Sequence, residues 1–388
     1  MKASGKAPGL EERSAGTNAL PLRVALDVRS VRTRREGIGN YALALASGLA
    51  EFLATGRRQT GAGIYDPQPE IDILLLGDRH TAWDVLPAFP HRSGPDGPLW
   101  HAWAAATAGR LADVYHSTGS YFAPMLTAKP VVLTVHDIVA LRHPATQSRW
   151  TRWTQGALGL ALHQARVVLA VSAFTAQEVA SEFPRAAGKI HPVLHAARPL
   201  GPPATGGPAL DVPAAFILAV GSLEPRKNLV TLLRAHARMA DPPPLVLVGH
   251  RRWRGAELDR ALADHPRAVR ILTDVSDAQL AWLYSTCSVF AFPSRYEGFG
   301  LPVLEAMACG APVVAARAAA IPEAAGDAAL LFDPDDPQEL AIALGRVLGD
   351  PGLRADLMQH GKLRAAERTW IDVARETVKL YERARMSP

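Results

Sequence analysis

The chain has 388 residues, 48% apolar and 20% charged, an ordinary globular composition with length for about two domains. No apolar run approaches the roughly 18 to 20 uncharged residues of a membrane span, the first twenty residues lack a signal-peptide core, and the two cysteines, Cys287 and Cys309, lack metal-ligand spacing. Zinc-site and disulfide-framework proteins are thereby set aside, a reducing cytoplasm is the expected compartment, and the net charge of +5 is too dispersed for a nucleic-acid binder.

Residues 1–20 read as a polar, flexible extension. Short apolar runs then alternate with stretches of helical periodicity, giving strands over 22–28, 71–76, 114–116, 131–136 and 167–171 and helices over 39–54, 154–165 and 173–182. The segment LGPPATGGPALDVP, 200–213, is dense in proline and glycine and marks a linker. The alternation restarts after it, with strands over 216–221, 245–249, 269–272, 289–292, 313–315 and 330–332 and helices beginning near Asn228, Asp277, Leu301 and Pro337. This pattern predicts an α/β protein with two Rossmann-like doubly wound domains, 21–199 and 214–370, facing a cleft between their carboxyl strand edges.

Most of the chemistry is concentrated in Phe292-Pro-Ser-Arg-Tyr-Glu297-Gly-Phe-Gly-Leu-Pro-Val-Leu-Glu305. A strand ends at Phe292, a glycine loop follows, and Pro302 suits the first turn of a helix. The amides of Phe299, Gly300 and Leu301 should then form an anion site, reinforced by the helix dipole. Glu297 and Glu305 flank those amides. A carboxylate belongs beside an anion only if it accepts hydrogen bonds from neutral hydroxyls, a pattern that suits sugars and a ribose. Upstream, GSLEPRKN (221–228) brings Arg226 and Lys227 to the end of the first strand after the linker. Two fixed cations there could hold a diphosphate and stabilise it as a leaving group without a metal.

The chain resembles the family 4 retaining glycosyltransferases of the GT-B fold, specifically the bacterial polysaccharide mannosyltransferase type. The resemblance rests on RREGIGNYALAL, DVYHSTGSYFAP, VVLTVHDIVALRHP, VVLAVSAFTAQEV, GSLEPRKN, the EGFGLPVLE spacing and IPEAAGDAALLFDP, and runs from about residue 23 to 334. It implies that Glu297 contacts the hydroxyls of the donor sugar and Glu305 the ribose. Arg226 and Lys227 would hold the diphosphate, helped by Ser222 and the amides of Phe299, Gly300 and Leu301. His136 would face the sugar from the first domain with Asp137 beside it, and Gly37 and Gly39 would let backbone approach phosphate and acceptor. Val275 would lie against the base, and residues 371–388 would form a helix crossing back to the first domain. The implied reaction moves a hexose with retention, the diphosphate itself taking the acceptor proton, without metal or cofactor. GDP-mannose is the favoured donor, with UDP-glucose or another UDP- or dTDP-sugar as alternatives, and a glycan or lipid-linked glycan is the implied acceptor. The chain departs from the family where an asparagine-glycine turn is usual: it reads His195-Ala-Ala-Arg198.

Other readings compete. Gly37-Ile-Gly-Asn-Tyr-Ala42 matches the dinucleotide fingerprint of a nicotinamide oxidoreductase, but it does not follow its strand directly and no acidic residue stands about 20 positions on. A non-catalytic carbohydrate binder would show the same hydroxyl-binding carboxylates. Asp333-Pro-Asp335 matches a metal-binding D-x-D, yet Asp335 or Asp336 before Pro337 reads better as a helix cap. Trp150 and Trp153, with Arg149 and Arg152, would suit a peripheral contact between the basic first domain and the inner face of a membrane, or the ordinary surface of a domain.

Overall fold

The computed structural model describes residues 20–33, 37–56, 70–144, 149–204, 210–251 and 256–386. The expected extension, apart from residue 20, and the middle of the expected linker therefore lie outside the described residues. In the first domain the strands are β1 (Leu22–Asp27), β2 (Ile71–Asp78), β3 (His91–Gly94), β4 (Val114–Ser117), β5 (Val131–Val135), β6 (Val167–Ala170) and β7 (Ile190–Pro192). They form one parallel sheet in the order β3-β2-β1-β4-β5-β6-β7. In the second domain β8 (Ile217–Val220), β9 (Leu245–Val248), β10 (Val269–Leu272), β11 (Val289–Phe292), β12 (Val313–Ala316) and β13 (Leu330–Phe332) make a second parallel sheet, ordered β10-β9-β8-β11-β12-β13.

Parallel strands covered by helices on both faces have no wet side, so their sequences run continuously aliphatic. VVLTV in β5, LVLV in β9 and VVAA in β12 are buried at every position. Strand order reverses between β1 and β4 and again between β8 and β11. Ligands bind open α/β sheets at such switch points, outside the carboxyl strand ends.

The expected strands are present. Edge strands β3 and β7 and the helices Leu99–Leu111 and Pro351–Ala366 were not anticipated, and the helix expected over 154–165 is two, Arg149–Gly156 and Leu158–Gln164. The final helix, Trp370–Met386, packs on Gly37–Gly56. A Cβ at Gly48 would come within 2.3 Å of the Trp370 carbonyl oxygen, so only glycine lets these helices approach so closely. Buried Tyr381 joins its hydroxyl to Nδ1 of His116, at the end of the first domain's β4, at 2.7 Å.

Candidate active site

Two loops of the second domain are fastened together at the end of β8 and β11. After β8 the chain passes through Gly221 and a short turn, Pro225–Lys227, to Asn228, which holds a left-handed φ of 55°. The Asn228 amide donates to the carbonyls of Pro293 and Pro334 at 3.0 and 2.7 Å, and the Arg295 N–H donates to the carbonyl of Arg226 at 2.9 Å. The loop after β11 is thereby laid along the Arg226-Lys227 turn. Backbone crowding fixes the turn from behind, where a Cβ at Gly249 would lie 2.0 Å from the Gly221 carbonyl oxygen. Ser222 belongs to this same loop, its carbonyl accepting from Glu224 N–H at 2.9 Å.

This fastening brings the expected charges together. Lys227 Nζ donates to Glu297 Oε1 at 2.6 Å, and Arg226 Nη1 donates to Oε2 at 2.8 Å and to the Tyr296 carbonyl at 3.0 Å. Arg226 also pairs with Glu224 at 2.7 Å. Glu297 and Lys227 are each 9% exposed. Burial alone would favour a neutral Glu297, but Arg226 and Lys227 overcome it and hold the carboxyl down at about 2. Burial likewise pulls the Lys227 ammonium below its ordinary range while Glu297 pulls the other way. The result is a desolvated carboxylate gripped by two cations at a helix start. Gly300, with φ 112°, opens the helix Leu301–Ala308, and the first amides of a helix have no partner within it. Phe299, Gly300 and Leu301 lie at this helix start, two to four residues after Glu297 in the chain.

The first domain closes directly onto this loop. A Cβ at Gly298 would sit 1.7 Å from the His136 carbonyl oxygen. The Gly298 carbonyl accepts from the hydroxyls of Ser172 at 2.6 Å and Thr175 at 2.9 Å. Nearby, Glu323 receives the N–H groups of Ala173 and Phe174 at 2.8 and 3.1 Å, at the start of the helix Ala173–Glu182. His136 is placed by Nε2, 2.7 Å from the Thr118 carbonyl oxygen. A carbonyl only accepts, so Nε2 carries the proton, and burial lowers the pKa of the ring. The neutral ring is left with Nδ1 as an acceptor. Asp137 accepts from Val139 N–H at 3.1 Å, and its charge helps to keep Arg226 protonated across the cleft.

Residues 35–196 match the family described as Glycosyltransferase Family 4, and residues 214–350 match Glycosyl transferases group 1. The O-antigen chain mannosyltransferase B of Escherichia coli is 31% identical over 283 residues, covering 69% of this chain and 74% of that protein. The chain belongs to glycosyltransferase family 4. Solved structures share its fold. Sucrose-phosphate synthase from Thermosynechococcus elongatus matches with a TM-score of 0.72 at 21% identity, covering 93% of this chain and 98% of that one. Anabaena Alr3699/HepE, in complex with UDP-glucose, matches with 0.68 at 19%, covering 92% and 98%. This is the GT-B architecture, and the membership displaces the oxidoreductase reading of Gly37 to Ala42.

Other expected positions of this glycosyltransferase are placed less simply. Gly37 begins the helix Gly37–Gly56 with open space around it, but a Cβ at Gly39 would meet the Ser30 carbonyl oxygen at 2.4 Å. The close approach at Gly39 is thus already taken by the chain's own backbone. Val275 lies between Asp274 and Ser276, the residue that caps the helix Asp277–Thr286. Glu305 is buried, 4% exposed, and Arg198 Nε donates to its Oε1 at 2.8 Å. Asp336 caps the helix Pro337–Gly349 by accepting from the N–H groups of Gln338 and Glu339 at 2.7 and 3.1 Å, which leaves the D-x-D match a capping motif. Trp153 is 60% exposed and stacks on Phe122 at 5.0 Å, while the side chain of Trp150 lies outside the described residues. Among the described residues no helix is long and apolar enough to cross a membrane.

Sequence reasoning treated His195 and Arg198 only as a departure from the family pattern. His195 stacks on Tyr41 at 4.8 Å and leans on Phe299 at 5.0 Å and on Trp370 at 5.6 Å. It is buried, with no partner for either ring nitrogen among the described residues, and burial first, with His136 and Arg368 adding to it, lowers its pKa well below the usual value. The signal that could have found it was a histidine in the place of the expected asparagine.

Proposed function

We propose that this glycosyltransferase moves mannose, with retention, from GDP-mannose to a glycan or lipid-linked glycan acceptor during cell-surface polysaccharide synthesis. The observation that carries this reading is the buried Arg226, Lys227 and Glu297 cluster at the start of the helix Leu301–Ala308. The E. coli relative, an O-antigen chain mannosyltransferase, supports the sugar and the kind of acceptor.

In the donor complex the diphosphate oxygens take up Arg226, Lys227, the Ser222 hydroxyl and the amides of Phe299, Gly300 and Leu301. Glu297, released from part of its ion pairing, accepts from sugar hydroxyls, Glu305 from the ribose, and Val275 lies along the base. His136 Nδ1 accepts from a hydroxyl on the opposite side of the sugar. The bond from the anomeric carbon to the phosphate oxygen breaks as the acceptor oxygen bonds to the same face. The departing phosphate oxygen receives the acceptor's proton, so no separate base is required. Charge developing on that oxygen falls among cations and amides already oriented toward it, which is where electrostatic catalysis gains most. The same groups would do what a metal does elsewhere, and the reaction needs none.

The reading places the enzyme in the cytoplasm, with the basic first domain able to lie against the inner membrane face where a lipid-linked acceptor resides. A panel of GDP-, UDP- and dTDP-sugars, scored by thermal stabilisation and by slow donor hydrolysis, tests the donor. GDP-mannose should give the largest shift, and a larger shift from UDP-glucose would move the assignment to that donor. The anomeric configuration of the product, read by NMR, tests retention. A protein that no sugar nucleotide stabilises would contradict the proposal as a whole.

A further inference from the structure

Arg198 leaves the first domain just ahead of the proline- and glycine-rich segment, yet its side chain is buried in the second domain. Nε donates to Glu305 Oε1 at 2.8 Å, and Nη1 pairs with Asp277 Oδ2 at 2.9 Å, with the arginine side chain only 7% exposed. The two carboxylates come from different elements. Glu305 lies within the helix Leu301–Ala308, and Asp277 opens the helix Asp277–Thr286, two residues after Val275. Arg198 therefore bridges the carboxylate expected at the ribose and the loop expected at the base.

The arginine is itself firmly seated. Its neighbour Ala197 accepts from Trp370 Nε1 at 3.1 Å, and Leu194 accepts from Arg368 Nε at 2.7 Å. Burial works against its charge, but Glu305 and Asp277 more than compensate and raise its pKa. A planar guanidinium with a fixed fork of donors orients a carboxylate in a way a lysine cannot. Each carboxylate oxygen has two acceptor sites, so Glu305, with one site used by Arg198, still offers both oxygens to a vicinal diol. The net charge fits as well: two carboxylates around one guanidinium leave the cluster anionic, suited to hydroxyl donors and unsuited to phosphate.

Resting on the reading that Glu305 accepts from the ribose, we propose that Arg198 is the positioning residue for that contact. It fixes the Glu305 carboxylate for the ribose diol and, through Asp277, locks it to the base loop. Recognition of the nucleoside in the second domain then depends on a side chain supplied by the segment that joins the domains.

The test is the ratio of affinities for GDP and 2′-deoxy-GDP, and likewise for UDP and dUDP, measured by calorimetry on the full chain. A hydrogen bond from the ribose to a charged acceptor should favour the ribose form by about tenfold or more in the unaltered protein. E305Q should bring the ratio near one. R198M should also bring it near one while affinity for the deoxy form changes little, and R198K should recover part of the discrimination. D277N, which removes one anchor and keeps the arginine, should lower the ratio by less than R198M and provides the reading should R198M fail to fold. A merely structural arginine would weaken both nucleotides equally and leave the ratio intact. Loss of discrimination in E305Q with full discrimination in R198M, R198K and D277N would overturn the role of Arg198 alone. Full discrimination in E305Q would overturn the ribose reading and the proposal with it.

Discussion

On the second-domain wall of the cleft, Glu297, Arg226 and Lys227 are charged, and each is matched at 2.6 to 2.8 Å by a partner from the neighbouring loop. On the first-domain wall Asp137 carries a charge that reaches Arg226, but the two histidines are neutral: His136 donates a hydrogen bond to a backbone carbonyl, and His195 packs among aromatic rings. In the proposed donor the diphosphate is common to all nucleoside diphosphate sugars, and a fixed charge needs fixed counter-charges. The acceptor and the sugar's far side vary, and neutral packing can adapt to them without exposing an unpaired ion. The cation and carboxylate cluster of one wall is thus specified by electrostatics, and the histidine side of the other mainly by shape.

The largest expected effects lie on the charged wall. Glu297→Ala and Lys227→Ala should each lower transfer at least about a hundredfold, the scale seen when one oriented electrostatic contact is removed. Both should remain folded, because Arg226 keeps its pair with Glu224 and so limits the cost of opening the cluster. Steady-state transfer on purified protein, with circular dichroism to confirm the fold, checks this. Near-normal turnover in either variant would break the distinction between the two walls.

Gly298→Ala addresses the seam where the walls meet. Its new Cβ, 1.7 Å from the His136 carbonyl oxygen, forces one backbone away from the other across the seam. Displacements of about an ångström cost roughly tenfold to a hundredfold in rate when they separate groups that act together. Small-angle scattering should show an expanded molecule, and nucleotide affinity, which the proposed function assigns to the second domain, should suffer less than transfer.

The same division governed what could be read from sequence. That Arg226, Lys227 and Glu297 come together was legible because a carboxylate beside a helix start and two upstream cations have few other joint purposes. Arg198 was not, since its partner Glu305 lies 107 residues away and an arginine before a linker resembles any surface cation. His195 was hidden because stacking between Tyr41 and Phe299 is created by the fold alone. Strands β8, β9, β11, β12 and β13 of the second sheet were evident from their apolar runs, whereas β3, HRSG, has neither an apolar run nor a buried residue to detect. The helix Leu99–Leu111 was missed because alanines on its buried side, at 104, 105 and 108, leave little contrast between its faces.

Acid should expose the neutral character of the first domain. His116 hydrogen-bonds Tyr381 and Thr134, and burial first, with His136 adding to it, lowers its pKa from 6.5 to about 3. A folded pKa below the unfolded one contributes stability that is intact above about pH 6.5 and lost as pH falls toward 3, at up to about 1.4 kcal/mol per unit. His116→Asn, though less stable at neutral pH, should flatten that slope. Denaturant midpoints between pH 7 and 5 measure it, and an unchanged slope would show that other groups set the acid limit.

The smallest effect expected sharpens the contrast most. An imidazole buried with both nitrogens unpartnered costs stability, because those atoms forgo water without gaining a replacement. His195→Phe keeps the ring between Tyr41 and Phe299 and removes the two polar atoms, so the free enzyme should gain about 2 to 4 °C in melting temperature for each kcal/mol recovered. On the charged wall the equivalent change, Lys227→Met, should do the opposite, since it strips a counter-charge from a buried Glu297 that needs it. A thermal scan of the two variants side by side separates the cases. Destabilisation by His195→Phe equal to that of Lys227→Met would mean that the first-domain wall, too, is held by polar contacts, and the division between charge and shape would not hold.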